Sequence, residues 1–456
     1  MIVRRTFLGL AAASLAGCAA TVSVERRPPI IFVHGNGDTA AVWQTTLWRF
    51  ESNGWPRDRL HAIDLPYPLA RDDDTKPQPG RTSTAEHMTF LKAEVEKVLR
   101  SSGASRVILV GNSRGGLAIR NYIQNGGGDK TVSHAVLGGT PNHGIWAVAG
   151  RNEGSEFSGT GPFMTALNAP KNAAADEVTG PVKWATIRSD HNDKYAQPDG
   201  LWIGSKGTPT GVTFAGPELK GAVNVIVARI DHRETSFSPA AFYATWYFLT
   251  DGAPARLQPV PERRITLAGK VSGLGLSSTD PASGNFPNNL PVAGAQLQVF
   301  AVDAAAGERL GPAVYEKTIG ADGAWGPFAA QPDARYEFVV AAPGYATTHI
   351  YRSPFPRSSS IVNLRPERLA EAERQAPSVV LMSRPRGYLD PTRDQMSFNG
   401  VTPPPGAVPG AGVSSSRIRV DGPPPRAVAA DFNGERVVGR AWPTAENHFT
   451  ILELTY

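Results

Sequence analysis

The sequence predicts an α/β region built on a mostly parallel sheet, followed by an all-β region. Three observations lead there. First, Val107–Val110 is a continuous apolar run, short enough for a strand buried on both faces. It breaks at Gly111-Asn112-Ser113-Arg114-Gly115 and resumes with helical spacing at Leu117, Ile119, Tyr122 and Ile123, giving strand, sharp turn and helix. Second, further short apolar runs recur up to residue 228 with helical patterns between them, the alternation of a parallel sheet. Third, beyond residue 264 the pattern changes to short alternating strands.

A chain of 456 residues has room for about three domains of ~150 residues, or for one large domain with something attached. Hydrophobic content of 41% with 19% charged residues excludes broad disorder. The formal net charge of +5 is small for the length, and the arginines are not striped with aromatics, so no nucleic-acid partner is expected. No apolar run after residue 20 approaches the ~18 residues of a bilayer span. Residues 1–18 read as an export signal: a twin-arginine start at Arg4-Arg5, a small apolar run from Leu10 to Ala16, and Leu15-Ala16-Gly17-Cys18. Cys18 is the single cysteine, which excludes an intramolecular disulfide and a catalytic thiol in the mature body.

Taken in order, Pro29–Val33 is a short strand running into His34-Gly35-Asn36-Gly37. Ala40–Phe50 reads as a helix and Arg59–Asp64 as the next strand, closed by Pro66 and Pro68. After a polar loop, Ser83-Thr84-Ala85-Glu86 is a capping box; Met88, Leu91, Val95 and Val98 then keep helical spacing until Gly103. The glycines around Ser113 suit a strained turn in which helix and strand press close, projecting the serine hydroxyl from the sheet edge. Ala135–Leu137 is a strand leading to Gly138–Gly144, and Trp184–Arg188 is another, followed by Ser189–Lys194. Residues 144–182 lack clear periodicity but carry scattered aromatics; a lid and a solvent-facing excursion are both open readings. Val223–Ala228 is the last strand of this region, then Ile230–Glu234 and a closing helix, Ser238–Leu249.

These pieces bound a first domain at 28–250, with 251–264, rich in proline and charge, as a linker. Gln296–Val302 and Arg335–Ala341 alternate with period two in a β module at 265–358. Residues 359–456 hold further strands at Ser378–Met382, Arg417–Val420 and Phe449–Leu454, and one barrel-like unit with the module before them is an open reading.

The Gly-x-Ser-x-Gly turn in its strand and helix resembles the nucleophile turn of α/β-hydrolases, and within them of serine lipases and esterases. The resemblance implies Ser113 as nucleophile and a fold with a mostly parallel sheet. His-Gly-x-Gly at residues 34–37 matches the segment that supplies half of the lipase oxyanion hole, so the backbone N–H groups of Asn36 and Arg114 are implied there. His34 and His143, the latter in a Thr-Pro-x-His-Gly segment, are implied as structural. A triad acid on a Ser-x-x-Asp loop with a proline soon after matches Ser189, Asp193 and Pro198, with Asp190 as competitor. A base after the last strand matches His232, and the order Ser113, Asp193, His232 is that of this fold.

The implied activity is carboxylic-ester hydrolysis by an acyl-enzyme route, with lipid or ester substrate and no cofactor or metal. Long-chain acylglycerol is the first candidate and an extracellular polyester the second; an inactive surface binding lipoprotein is the competing class. No His-x-x-x-His or carboxylate cluster has ligand spacing, although His191 beside Asp190 and Asp193 offers an incidental cation contact. Leu15–Cys18 looks like a bacterial lipobox, implying lipidation at Cys18 and a membrane anchor. Ala19 and Ala20 in place of a retention aspartate point to the outer membrane. The β module resembles transthyretin-like or carboxypeptidase-regulatory sandwiches in Ile265–Val271, Pro291–Ala295 and Gly344-Tyr345.

Overall fold

The computed structural model describes residues 27–190, 192–274, 287–410 and 412–456. The export signal with Cys18, and His191, lie outside the described residues. The first region runs β1 (Ile30–Val33), α1 (Gln44–Ser52), β2 (Leu60–Ile63), β3 (Leu69–Ala70), β4 (Arg81–Thr82), α2 (Thr84–Ser102), β5 (Val107–Asn112) and α3 (Arg114–Asn125). It continues with β6 (Val132–Gly138), α4 (Pro162–Leu167), β7 (Lys183–Ser189), β8 (Asp199–Gly200), β9 (Ser205–Pro209), β10 (Val223–Val227), α5 (Glu234–Phe237) and α6 (Pro239–Thr250).

Six of these strands make one parallel sheet in the order β10-β7-β6-β5-β1-β2. Alternation along the strands sorts side chains to its two faces. Ile31, Val33, Val107 and Leu109 pack on the side of α2 and α3, with Leu91, Val95 and Ile119. Ile30, Phe32, Ile108 and Val110 pack on the side of α1 and α6, with Phe50, Phe242 and Trp246. There Phe50 meets Trp55 and Phe242 edge-on at 5.5 and 5.2 Å, contacts worth about 0.5–1.5 kcal/mol each beyond burial.

Helix boundaries follow local chemistry. Ser83 Oγ accepts from Glu86 N at 3.2 Å and the Glu86 carboxylate accepts from Ser83 N at 2.7 Å, which closes the start of α2. The expected helix at 40–50 divides instead: Thr39 accepts from Ala41 N and winds Ala40–Trp43 as a tight 3-10 turn before α1 begins. Within 144–182, α4 buries Met164 and Leu167 against Leu117.

The second region comprises β11 (Ile265–Leu274), β12 (Pro287–Pro291), β13 (Gln296–Val302), β14 (Tyr315–Thr318), β15 (Ala324–Ala330), β16 (Arg335–Ala341) and β17 (Thr347–Arg352). β18 (Ser359–Leu364), β19 (Ser378–Ser383), β20 (Met396–Phe398), β21 (Ser415–Val420), β22 (Arg426–Phe432), β23 (Glu435–Ala441) and β24 (His448–Glu453) complete it. The strands are mostly antiparallel. A seven-stranded sheet runs β14-β13-β16-β17-β24-β19-β21 and takes strands from both sides of residue 358. Among the described residues its edge strands are β14 and β21. Its inner face packs Leu297, Phe338 and Ile350 against Leu267, Trp325 and Val362 of β11, β15 and β18. A hairpin of β22 and β23, turning at Asn433-Gly434 with positive φ at both residues, covers part of the other face; the sequence reading above leaves it out.

The two regions share a core, since Trp48 of α1 lies among the buried residues of the β region. Its indole N–H donates to Ser358 O at 2.9 Å and its ring meets Phe355 edge-on. Asn289 Nδ2 donates to Asp38 O and Leu65 O, both at 2.9 Å. Residues 251–264 lie along α1 rather than free, with Arg49 Nε donating to Leu257 O and Ser52 Oγ accepting from Val260 N.

Candidate active site

Ser113 ends β5 at φ 52° and ψ −122°, a conformation strained for a residue with a side chain. The motif glycines make it possible. A Cβ on Gly115 would sit 2.4 Å from Val33 O, and one on Gly111 2.8 Å from Gly116 N. The Ser113 N–H donates to Gly138 O at 2.8 Å, which fastens the turn to β6. Arg114 begins α3, so its N–H belongs to the first turn, whose donors have no partner inside the helix.

The Arg114 side chain turns into the protein. Its guanidinium binds both Glu156 carboxylate oxygens at 2.8 Å and donates to Thr82 Oγ1, Thr82 O and Pro68 O. Both partners are buried, and burial pushes the Glu156 carboxyl up against the pull of Arg114. The residue expected at the oxyanion hole thus also ties the 144–182 segment to the nucleophile helix.

His232 follows β10 and reaches the turn after β7. Its Nδ1 lies 2.8 Å from Asp193 Oδ2, with both side chains buried. Asp193 Oδ1 accepts from Tyr195 N at 2.9 Å, so each carboxylate oxygen has a donor. The carboxylate acceptor places a ring proton on Nδ1. The His232 carbonyl is held by Asn112 Nδ2 at 3.2 Å and Thr235 Oγ1 at 2.7 Å, and the Tyr195 ring meets the imidazole edge-on at 4.5 Å. Asp190 points elsewhere: its Oδ1 accepts from Arg229 N at 3.0 Å and Ser189 Oγ at 3.2 Å.

Ser113, His232 and Asn36 line one cavity of about 410 Å³. Pro141, Ile145 and Phe157 give it an apolar wall, whereas Asn152, Ser155 and Arg71 are polar. Asn36 Oδ1 accepts from Ala70 N at 2.7 Å, which orders the loop after β1. Tyr388 of the β region also lines the cavity, and so does Arg233, whose Nε is 3.2 Å from Asp38 Oδ2. Lys194 lies beside them with its ammonium 4.2 Å from the Tyr388 ring, and burial, then the Arg233 charge, pushes it down to about 8.

His34 is buried on backbone partners, with Nε2 accepting from Leu65 N at 3.1 Å. His143 pairs with Glu177 at 2.9 Å. Among the described residues no group of three or more His, Cys, Asp or Glu side chains is placed to hold a metal ion, and no helix is long and apolar enough to cross a membrane. The residues that sequence reasoning missed are Glu156, Tyr195 and Tyr388. A buried arginine implies a partner, but 42 residues separate Arg114 from Glu156 and no spacing marks it.

Residues 27–172 match the family model for lipase (class 2), and residues 263–369 that for the lipase C-terminal domain. Among solved structures, the propeptide form of Bacillus licheniformis lipase BlEst2 aligns at TM-score 0.36 and 15% identity, covering 69% of this chain and 89% of that one. Aspergillus fumigatus lipase B aligns at TM-score 0.35 and 15% identity, covering 53% of this chain and 59% of that one. Legionella pneumophila phospholipase PlaB, in complex with thio-NAD, aligns at TM-score 0.35 and 11% identity over 75% of this chain and 94% of that one. The parallel sheet with its helices resembles that of α/β hydrolases, a mostly antiparallel β region follows it, and the matched segments are similar to class 2 lipases and to lipase C-terminal domains.

Proposed function

We propose that this chain hydrolyses carboxylic esters, with Ser113 as nucleophile, His232 as general base and Asp193 as the acid that orients it. The observation that carries the reading is a histidine hydrogen-bonded to a buried aspartate, in the same cavity as a serine held on a strained turn. Ser113 Oγ attacks the acyl carbonyl while His232 Nε2 takes its proton; Asp193 stabilises the imidazolium that forms. The Asn36 and Arg114 N–H groups bind the oxyanion, each such donor worth ~2.7–4 kcal/mol in the transition state. His232 then protonates the leaving alcohol, and water activated by the same imidazole releases the acid.

Lipid esters, acylglycerols first, are the proposed substrates. The two lipase family matches support this, as does a cavity volume inside the ~300–1,000 Å³ that small-molecule sites use. The acyl chain would lie on Pro141, Ile145 and Phe157. The polar lining, Asn152 and Ser155 in particular, favours a polyester as second substrate, because its repeated carbonyls accept hydrogen bonds along the groove. A fluorophosphonate probe followed by a chain-length series of p-nitrophenyl esters tests the reading. Labelling that disappears in Ser113→Ala is expected; a wild type that neither labels nor hydrolyses any ester would sink it.

The export signal extends the proposal to location: the mature chain begins at lipidated Cys18 and is anchored to the outer membrane of a bacterium. Mass spectrometry of the mature N-terminus tests this, and an unmodified peptide starting downstream of Cys18 would refute it.

A further inference from the structure

The turn that carries His232 is clamped from outside its own region. Asp231, fully buried, uses Oδ1 to accept from the N–H groups of Arg233 and Glu234, both at 2.9 Å, and so brackets the His232 residue. Its Oδ2 accepts from Arg384 Nη1 at 3.0 Å and from Tyr388 N at 2.8 Å. Glu234 closes the turn by accepting from Asp231 N at 2.7 Å, and its two oxygens take Arg384 Nη2 and Arg393 Nη1, each at 2.6 Å. Arg384 is buried and spoken for elsewhere too, donating to Tyr388 O at 2.6 Å and Tyr456 O at 2.9 Å. Gly387 is required beside it, since a Cβ there would sit 2.2 Å from Arg384 Nη1.

We propose that Arg384, carried by the β region, is a positioning residue for the catalytic base: it holds the Asp231–Glu234 turn and thereby aims His232 at Ser113. The inference rests on the hydrolase reading above. Asp231 is a buried carboxylate beside the partly buried Glu234, and burial with Glu234 repulsion pushes the Asp231 carboxyl up; the two guanidiniums oppose that and keep the turn compact. Arg384 is a fork whose donors reach both carboxylates at once, a geometry that fixes direction as well as charge. The same segment places Tyr388 in the cavity wall, so the β region forms part of the site rather than only packing behind it.

The test is steady-state ester hydrolysis by wild type, Ser113→Ala, Arg384→Gln, Arg384→Lys and Arg436→Gln, with folding followed by circular dichroism and thermal melts. Arg436 belongs to an exposed ion pair with Asp431 and serves as the unchanged control. Arg384→Gln should lower kcat about 100-fold with KM within two-fold, the scale expected for a base displaced by about 1 Å. Arg384→Lys, keeping the charge but not the fork, should recover only a small part of that loss. Where Arg384→Gln fails to fold, Glu234→Gln carries the same test, with the same split between kcat and KM expected. A folded variant with unchanged kcat, or one whose loss lies wholly in KM, overturns the inference while an active wild type leaves the hydrolase reading standing. A wild type without ester hydrolysis overturns both.

Discussion

At the scale of single residues, the proposed chemistry rests on Ser113, on its strained turn, and on the buried Asp193 beside His232. Ser113 occupies a backbone conformation that costs on the order of 1–3 kcal/mol, which the packing of β5, β6 and α3 around it must offset. Ser113→Ala should leave the fold intact and reduce turnover toward background, since loss of a triad serine costs ~10⁶ in a well-studied protease. A p-nitrophenyl ester assay reads this directly, and a tenth of the activity remaining would remove Ser113 from the mechanism. The aspartates give a second prediction. Asp193→Asn should lower kcat by about 10⁴, because the amide favours the wrong tautomer of His232. Asp190→Asn disturbs the hydrogen bonds to Arg229 and Ser189, away from His232, and should stay within about ten-fold. The reverse ranking in a kcat series would exchange their roles.

At the scale of elements, α3 and the 144–182 segment depend on one another through Arg114 and Glu156. A buried ion pair adds little over a well-packed apolar pair, but breaking one side is expensive because the other charge stays buried. Glu156→Gln should therefore destabilise the protein by about 3–5 kcal/mol in denaturant unfolding. It should also speed limited proteolysis between residues 144 and 161, where loss of the tether frees the chain. Unchanged cleavage there, with stability intact, would mean the segment is held by its backbone contacts alone. The tether bears on the lid reading as well. Phe157 lines the cavity directly beside Glu156, so any opening must work around a fixed point next to the acyl wall.

At the scale of the whole molecule, the α/β and β regions behave as one packing unit. Trp48 belongs to α1 by sequence and to the β core by burial, and Arg384 and Arg393 bind the turn that carries His232. Trp48→Ala should cost about 3–5 kcal/mol. It should lower the unfolding midpoints of both regions together, as seen by far-UV circular dichroism and by tryptophan fluorescence. Two separated transitions would show that the regions fold independently. β24 pairs in parallel between β17 and β19, so it lies inside the seven-stranded sheet, not at its edge.

The sequence by itself determined the local and ordered features. The strand–turn–helix around Ser113, the capping box at Ser83, the alternation of parallel strands with helices and the later change to period two all rest on neighbours within a few residues of one another. The hairpin at Asn433-Gly434 carries a local signal of the same kind, which the sequence reading passed over. Tertiary structure alone decided which aspartate meets His232, where the Arg114 charge finds its partner, and that Arg384 reaches Asp231. These pairings span 39, 42 and 153 residues. A spacing of that length carries no periodic signal, because it is set by how sheets and turns stack in space. A buried charge states in the sequence only that it needs a partner; the fold chooses which one.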